Sequence, residues 1–329
     1  MKVGIIGCGA VGRKRALALG EHELVIAVDP FLERARDVAQ LKNCNSVSTD
    51  YQDALNNDQI DLVFISTTNE FLAKIALDAV TAKKHVLVEK PAGRNPKELI
   101  PIIETAKRNN VFVKVGFNHR FHPALLKAKE LVDSGEIGPL MFIRGRYGHG
   151  GRLGYEKEWR SIPEKSGGGE LIDQGVHLID LSRWFLGELE VVDAFAYTYF
   201  WEMPVDDNAF LTLKTPDNQV AWLHVSCTEW KNMFSFEIYG KYGKLQVDGL
   251  GGSYGTERLS LYKMLPQMGP PETTIWEYPF PDNSWNLEVN AFINSIEMHK
   301  EPDGNIHDAK KALDIVAHVY KRCNYGVTP

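Results

Sequence analysis

The sequence predicts a two-part α/β chain: a doubly wound parallel sheet first, then an α+β part built on an antiparallel sheet. Two observations predict it. Roughly the first third alternates near-continuous Val/Ile/Leu runs with helical patterns, the signature of strands buried on both faces of a parallel sheet. From about Val191 onward, short strand-like runs are separated by turn-like breaks such as "TPDN" and "GKYG". Hairpins of that kind build an antiparallel sheet.

The elements follow in order. "KVGIIG" (2–7) reads as a buried strand and "AVGRKRALALG" (10–20) as a helix. "LVIAVD" (24–29) and "FLERARDVAQL" (31–41) repeat the pair. Strands are predicted at 61–67 and 85–90 with a helix at 69–82 between them, then a helix at 96–110 and a strand at 111–117. The character changes near Gly116, which places the parts at 1–118 and 119–329. A helix around 123–134 leads to strand "LMFIRGRY" (140–147), a loop rich in Gly and Arg, and then "SGGGELIDQGVHLIDLSRWFLG" (166–187). Apolar residues cover more than half of that helix, so it is expected to be buried. At 100° per residue Asp173 and His177 share one of its faces. Two helices, about 284–299 and 307–323, close the chain and are expected to pack back on the first part.

The 329 residues are 44% hydrophobic and 24% charged, the composition of a globular protein of two ordinary domains. A net charge of −6 speaks against a general nucleic-acid binder. No apolar run reaches the length of a membrane span, and glycines interrupt any signal-peptide core. Cys8, Cys44, Cys227 and Cys323 have neither CxxC nor metal spacing, so no metal and a reducing cytoplasm are expected.

Gly7-Cys8-Gly9-Ala10-Val11-Gly12 is a G-x-G-x-x-G that follows a strand and opens a helix, with Asp29 at the end of the next strand. That context is a dinucleotide fingerprint. Gly7 permits the turn, Gly9 lets the backbone approach a pyrophosphate, and Gly12 allows close helix–strand packing. The free amides of Ala10 and Val11 open the helix, whose dipole favours an anion. Asp29 is expected to accept from ribose hydroxyls and to repel a 2′-phosphate, which favours NAD; Arg34 and Arg36 keep NADP open. A methyltransferase also has a glycine-rich loop and an acid, but its loop usually lacks the third glycine. "VLVEKP" puts Glu89, Lys90 and Pro91 just past a strand, where ligands of open α/β sheets bind. A lysine there can stabilise charge on a substrate oxygen.

Four motifs in this order and spacing resemble the glucose–fructose oxidoreductase/inositol dehydrogenase/MocA family: "GIIGCGAVG", "EKP" at 89–91, "GFNHRFHP" at 116–123 and "GGGELIDQGVHLIDLSRWFLG" at 167–187. The resemblance covers essentially the whole chain. It implies a Rossmann domain, a second domain on a large open antiparallel sheet, and a nicotinamide between them. It implies Lys90, Asp173 and His177 as the catalytic residues of a sugar or polyol dehydrogenase, with His177 taking a hydroxyl proton. An imidazole suits that at neutral pH, and a carboxylate beside it favours the charged ring. Ser66, Thr67, Asn69, Glu89 and Asn118 join the cofactor candidates, with Arg120 as an interdomain strut. The family's Thr-Pro-Asn with a following histidine is departed from: Thr68 replaces the proline and Leu72 the histidine.

Arg146, Tyr147, His149, Arg152, Trp159 and Arg160, in "RGRYGHGGRLGYEKEWRS", are the substrate candidates; arginines there suit a carboxylate or phosphate. Lys165 is a further one. Phe195, Tyr197, Tyr199, Trp201 and Trp222 on the second sheet suggest a homodimer or homotetramer. Two rival classes stay open: a non-catalytic nucleotide sensor on the same fold, which could dispense with Lys90, Asp173 and His177, and a reductase of a non-sugar substrate.

Overall fold

The computed structural model describes residues 1–325; the last four residues of the predicted second part lie outside the described residues. The chain forms two compact units. The first holds Met1–Phe117, Glu164–Gly167 and Trp285–Leu313, and the second holds Asn118–Pro163, Gly168–Ser284 and, among the described residues, 314–325.

In the first unit, β1 (Lys2–Ile6), α1 (Ala10–Ala18), β2 (Glu23–Val28) and α2 (Leu32–Leu41) fall where the apolar runs put them. A two-residue strand, β3 (Val47–Ser48), and a single helical turn, α3 (Gln52–Leu55), come next and carry too few residues to show a period. They are followed by β4 (Leu62–Ile65), α4 (Asn69–Thr81), β5 (His85–Val88), α5 (Ile100–Asn109) and β6 (Val113–Val115). The helix expected from 96 begins as a 3-10 turn, Pro96–Leu99, capped by the Asn95 side chain on the amides of Lys97 and Glu98. All the pairings are parallel, in the order β3-β2-β1-β4-β5-β6. Strand order reverses between β1 and β4, so their carboxyl ends flank the crevice where such sheets bind ligands. Val289, Phe292, Ile293 and Ile296 of α9 (Ser284–Glu297, numbered in chain order below) join the same core as Val3, Ile5, Leu62 and Leu87.

In the second unit, α6 (Pro123–Asp133), β7 (Leu140–Gly148) and a helical turn, α7 (Pro163–Ser166, its last residues counted with the first unit), precede a π-helical turn at Leu171–Gly175 and α8 (Val176–Leu186). The hairpins follow as β8 (Glu190–Tyr197), β9 (Asn208–Lys214), β10 (Val220–Ser226), β11 (Met233–Gly240), β12 (Gly243–Asp248), β13 (Glu257–Lys263) and β14 (Glu272–Tyr278). The closing helices are α9, which belongs from Trp285 to the first unit, and α10 (Ile306–Cys323), which belongs to the first unit as far as Leu313 and to the second from Asp314. The eight-stranded sheet runs β14-β13-β12-β11-β7-β10-β9-β8, antiparallel except where β10 lies parallel to β7. Alternation divides it into two faces. Ile143, Leu211, Leu223 and Phe236 are buried on the helix-covered side. Leu171, Ile172, Val176, Leu178, Ile179 and Leu181 are buried too, each worth about 1.5–3 kcal/mol against exposure. The buried helix expected from the apolar pattern is therefore present, with its first turn wound as π rather than α.

Candidate functional site

The first unit carries the glycine-rich loop. Gly7 has φ +90°, and a Cβ there would lie 2.6 Å from Ser66 backbone; a Cβ on Gly12 would lie 2.0 Å from the Gly7 carbonyl oxygen. These two glycines are required by the protein's own packing. Gly9 differs: its φ of −72° suits any residue, and a Cβ would meet nothing within 4 Å. Ala10 and Val11 follow it at the open amino end of α1. Ser66 brings a buried Oγ with no hydrogen-bond partner to the end of β4. Open space above Gly9, free helix amides and an unsatisfied hydroxyl fit a dinucleotide.

Asp29 is 5% exposed and works on the backbone: Oδ2 accepts from the Cys8 amide at 2.8 Å and Oδ1 from the Phe31 amide at 2.9 Å. Each oxygen keeps a further lone pair for a ribose hydroxyl. Burial, and then the Asp29 charge, push the Cys8 thiol up to about 12, so it stays protonated. Arg34 stacks on Phe31 at 4.5 Å, while Arg36 pairs with Glu33 at 2.6 Å.

Lys90 follows β5 and is joined to Pro91 by a cis peptide. Its neighbour Glu89 is engaged inside the unit. Glu89 Oε1 accepts from Arg15 Nε at 2.6 Å, Arg15 Nη1 donates to Glu288 Oε2 at 2.6 Å, and Lys114 Nζ lies 3.3 Å from Glu288 Oε1. Asn69 likewise uses its side-chain amide on the Ser166 carbonyl at 2.8 Å. Thr67 Oγ1 bonds the Thr68 carbonyl, and Leu72 is fully buried in the core.

The second unit carries the acid and the histidine. The π turn departs from 100° per residue, so the spacing of Asp173 and His177 is not that of a regular α-helix. Asp173 Oδ2 accepts from Arg160 Nε at 3.0 Å. The His177 ring, 3% exposed, lies flat on His119 with centroids 3.7 Å apart. The start of the turn is anchored by Asp206, whose carboxylate accepts from the amides of Gly169 and Leu171 at 3.0 and 2.8 Å and from the Tyr320 hydroxyl at 2.7 Å. Burial pushes the Asp206 carboxyl up to about 6, against those hydrogen bonds.

Three glycines, Gly167, Gly168 and Gly169, precede the turn. A Cβ on Gly167 would meet Arg94 at 2.8 Å, on Gly168 the Tyr320 side chain at 2.3 Å, and on Gly169 the Asp206 carbonyl oxygen at 2.0 Å. Protein atoms, not a ligand, demand glycine there. Arg120, expected as an interdomain strut, has a partner inside the second unit. Its guanidinium makes a two-bond pair with Asp180 at 2.8 and 2.6 Å, and both residues belong to the second unit. Asn118 donates to Ser284 Oγ at 3.0 Å within the same unit.

The substrate candidates separate. Tyr147 faces His177 at 6.3 Å between ring centroids. Arg146, its neighbour on β7, points to the other face of the sheet, where it lines a hollow with Arg144, Trp222, Ser235, Glu237 and Gln246. Arg146 is thus removed from the side chains around His177. His149 and Arg160 do gather near Asp173. His149 Nδ1 accepts from the Gly151 amide at 2.9 Å, which leaves the proton on Nε2, 3.5 Å from Glu170 Oε1. Burial opposes charging His149, yet Glu170 prevails and raises its pKa above the ordinary imidazole value. Arg152 is exposed and pairs with Glu158 at 2.6 Å; Trp159 lies 4.6 Å beneath the Arg160 guanidinium; Lys165 is exposed. The aromatic residues Phe195, Tyr197, Tyr199 and Trp222 are exposed, whereas Trp201 is half-buried and donates to the Cys227 carbonyl at 3.0 Å.

Sequence reasoning missed Glu170 and His119. Glu170 is 1% exposed with an Oε1 that makes no hydrogen bond; a carboxylate between three glycines and the start of the apolar helix was the available signal. His119 lies between two residues that did draw attention, within "NHRFH".

Comparison with known proteins agrees with this architecture. Residues 1–117 match the family described as "Oxidoreductase family, NAD-binding Rossmann fold", and residues 125–246 match "GFO/IDH/MocA C-terminal domain". A levoglucosan dehydrogenase of Pseudarthrobacter phenanthrenivorans is 29% identical over 228 residues, 65% of this chain and 58% of that one. Oxidoreductase P35 of Formosa agariphila is 35% identical over 195 residues, 57% of this chain and 61% of that one. An inositol 2-dehydrogenase of Salmonella typhimurium is 29% identical over 198 residues, 57% of this chain and 55% of that one. The matches thus span little more than half the length of these relatives. A solved levoglucosan dehydrogenase in complex with NADH and levoglucosan superposes with TM-score 0.88 at 22% identity, covering 98% of this chain and 97% of that one, and so shares the fold. The chain belongs to the glucose–fructose oxidoreductase/inositol dehydrogenase/MocA family and carries its NAD-binding Rossmann fold.

Proposed function

We propose that the protein is an NAD-dependent dehydrogenase acting on a secondary hydroxyl, or the matching ketone, of a sugar, sugar acid, nucleotide sugar or cyclic polyol. The observation that carries this reading is a buried imidazole, His177, following a carboxylate on one helical stretch, in a chain whose family binds NAD. Levoglucosan and inositol, named for the relatives, support the carbohydrate class. When bound, the nicotinamide supplies the hydride chemistry. The Gly7–Gly12 loop, with the Ala10 and Val11 amides, would hold the pyrophosphate, and Asp29 the ribose.

His177 takes the hydroxyl proton as the hydride leaves, a contribution of about 10²–10⁴-fold. Asp173 favours the resulting imidazolium, and Arg160 fixes the carboxylate in place. Lys90 donates to the reacting oxygen and stabilises its growing charge. His149 and Arg160 lie close enough to Asp173 to read substrate oxygens. The exposed aromatic residues on the outer face of the second sheet support assembly as a homodimer or homotetramer, which sedimentation would measure.

The test is the purified protein with NAD and a panel of sugars, inositols, sugar acids and nucleotide sugars, read at the absorbance of the reduced nicotinamide. One class is expected to turn over. His177→Ala is expected to lose about 10²–10⁴-fold in kcat with NADH affinity unchanged. No turnover across the panel sinks the reading; native-rate turnover by His177→Ala sinks the base assignment.

A further inference from the structure

His119 lies in "GFNHRFHP" and touches the proposed base directly. Its imidazole covers the His177 ring face to face, 3.7 Å between centroids and 19° from parallel. Both residues are buried, at 5% and 3% exposure. Behind His119 the ring of His122 stands edge-on at 5.6 Å and 74°. His122 Nδ1 in turn lies 2.9 Å from Glu257 Oε2, and Glu257 Oε1 accepts from the Ala124 amide at 2.7 Å. Tyr147 and Phe234 complete the enclosure of His119 at 5.2 and 6.0 Å.

We propose that His119 is a positioning residue for His177, and that the two stacked imidazoles form a single proton site holding at most one proton. Two charged rings in contact repel strongly when burial keeps water from screening them. One charged ring against one neutral ring is favourable, because the neutral π face attracts the cation. The first proton is therefore accepted and the second refused, and the titration belongs to the pair rather than to either ring.

The surroundings of His177 do not undo this. On its own stretch, Asp173 favours one positive charge and is already shared with Arg160; Glu170 faces His149. From the 3-10 turn Asn118–Phe121, which carries His119, Arg120 is matched by Asp180. From β7 comes Tyr147, which burial keeps a neutral phenol. β10 turns Ala221, Leu223 and Val225 inward. Facing His119 are His122, Tyr147 and Phe234, with Glu257 held by His122. The stack also fixes the plane of the His177 ring. A proton resident on His119 would block His177 from accepting one, so the pair must be neutral before the hydroxyl proton arrives. That last consequence rests on the proposed function; the one-proton stack does not.

The experiment is nuclear magnetic resonance of the imidazole nitrogens in the full-length protein, titrated through the range where free imidazole gains its proton. In the native protein the two rings together are expected to take up one proton, split between them. In His119→Phe, which keeps a flat ring but removes the second proton acceptor, His177 is expected to take up the whole proton alone. The acid limb of kcat/KM should then move to lower pH by about 0.3 units or more, 0.3 being the statistical factor of two for equal sites. A full proton on each ring, no proton on either, or an unmoved acid limb in His119→Phe overturns the proposal. The native titration needs no variant, so a variant that fails to fold leaves that arm intact. Loss of the whole dehydrogenase reading would leave the proton count standing, so the two failures are distinguishable.

Discussion

Two glycine-rich stretches stand in this chain, and they exist for different reasons. In Gly7–Gly12 the outer glycines meet protein and the middle one meets open space. In Gly167–Gly169 every added Cβ would strike protein: Arg94, Tyr320 and Asp206 in turn. The first stretch leaves space at its middle glycine that no protein atom fills. The second lets a π turn start against its own supports. Glycine density is therefore poor evidence of a ligand; the space above the Cα decides.

The largest effect is expected at Gly169→Ala. The new methyl would lie 2.0 Å from the Asp206 carbonyl oxygen and 2.6 Å from its amide nitrogen, both backbone atoms that cannot rotate away. Overpacking of this severity is expected to cost about 3 kcal/mol or more. Thermal melting should show a drop of roughly 6 °C or more for a chain of this size, before any ligand is added. A melt within about a degree of the native protein would break the comparison, because it would make the second stretch as permissive as Gly9.

A smaller, pH-dependent effect is expected at Asp206, the group against which that stretch packs. Its folded pKa is raised from 3.8 to about 6, with burial the largest cause. Between those values the folded state holds a proton that the unfolded state has released. Stability therefore falls as pH rises through this window, by about 3 kcal/mol in total, and the loss is complete above the folded value. Asp206→Asn cannot titrate. Chemical denaturation from below the lower of the two pKa values to above the higher, 3.8 and about 6, should show the native protein losing stability relative to the variant as pH rises. Parallel curves would mean that the carboxylate's hydrogen bonds fully offset its burial.

The same contrast explains what was legible from sequence. Periodicity located the buried strands and the apolar helix, since Leu171, Ile172, Val176 and Ile179 are buried under either helical winding. For that very reason it concealed the π turn, and with it the true geometry of Asp173 and His177. Strand alternation alone sends Arg146 and Tyr147 to opposite faces, so grouping them was avoidable. The Arg160–Asp173 bond and the His119–His177 stack were not readable. The first spans 13 positions across irregular turns and the second joins two separate segments, and neither leaves a periodic pattern. The buried Arg15–Glu288 pair spans still more sequence, 273 positions.

The smallest effect on stability, and the sharpest on binding, is expected at Gly9→Ala. Its φ of −72° is one that alanine adopts without strain, and the added methyl meets no protein atom within 4 Å. Replacing glycine at a compatible site restricts the unfolded chain and stabilises by about 0.4–1 kcal/mol. The melting temperature should therefore stay level or rise by roughly 1–3 °C. NADH affinity, measured by fluorescence titration, should fall by about tenfold or more, the equivalent of about 1.4 kcal/mol, because the methyl occupies the space through which a pyrophosphate would approach the loop amides. A variant more stable when free yet weaker in binding is the outcome that a structural glycine cannot produce. If Gly9→Ala instead loses stability and binds NADH normally, the open space above it is not the cofactor's, and the two glycine stretches are of one kind.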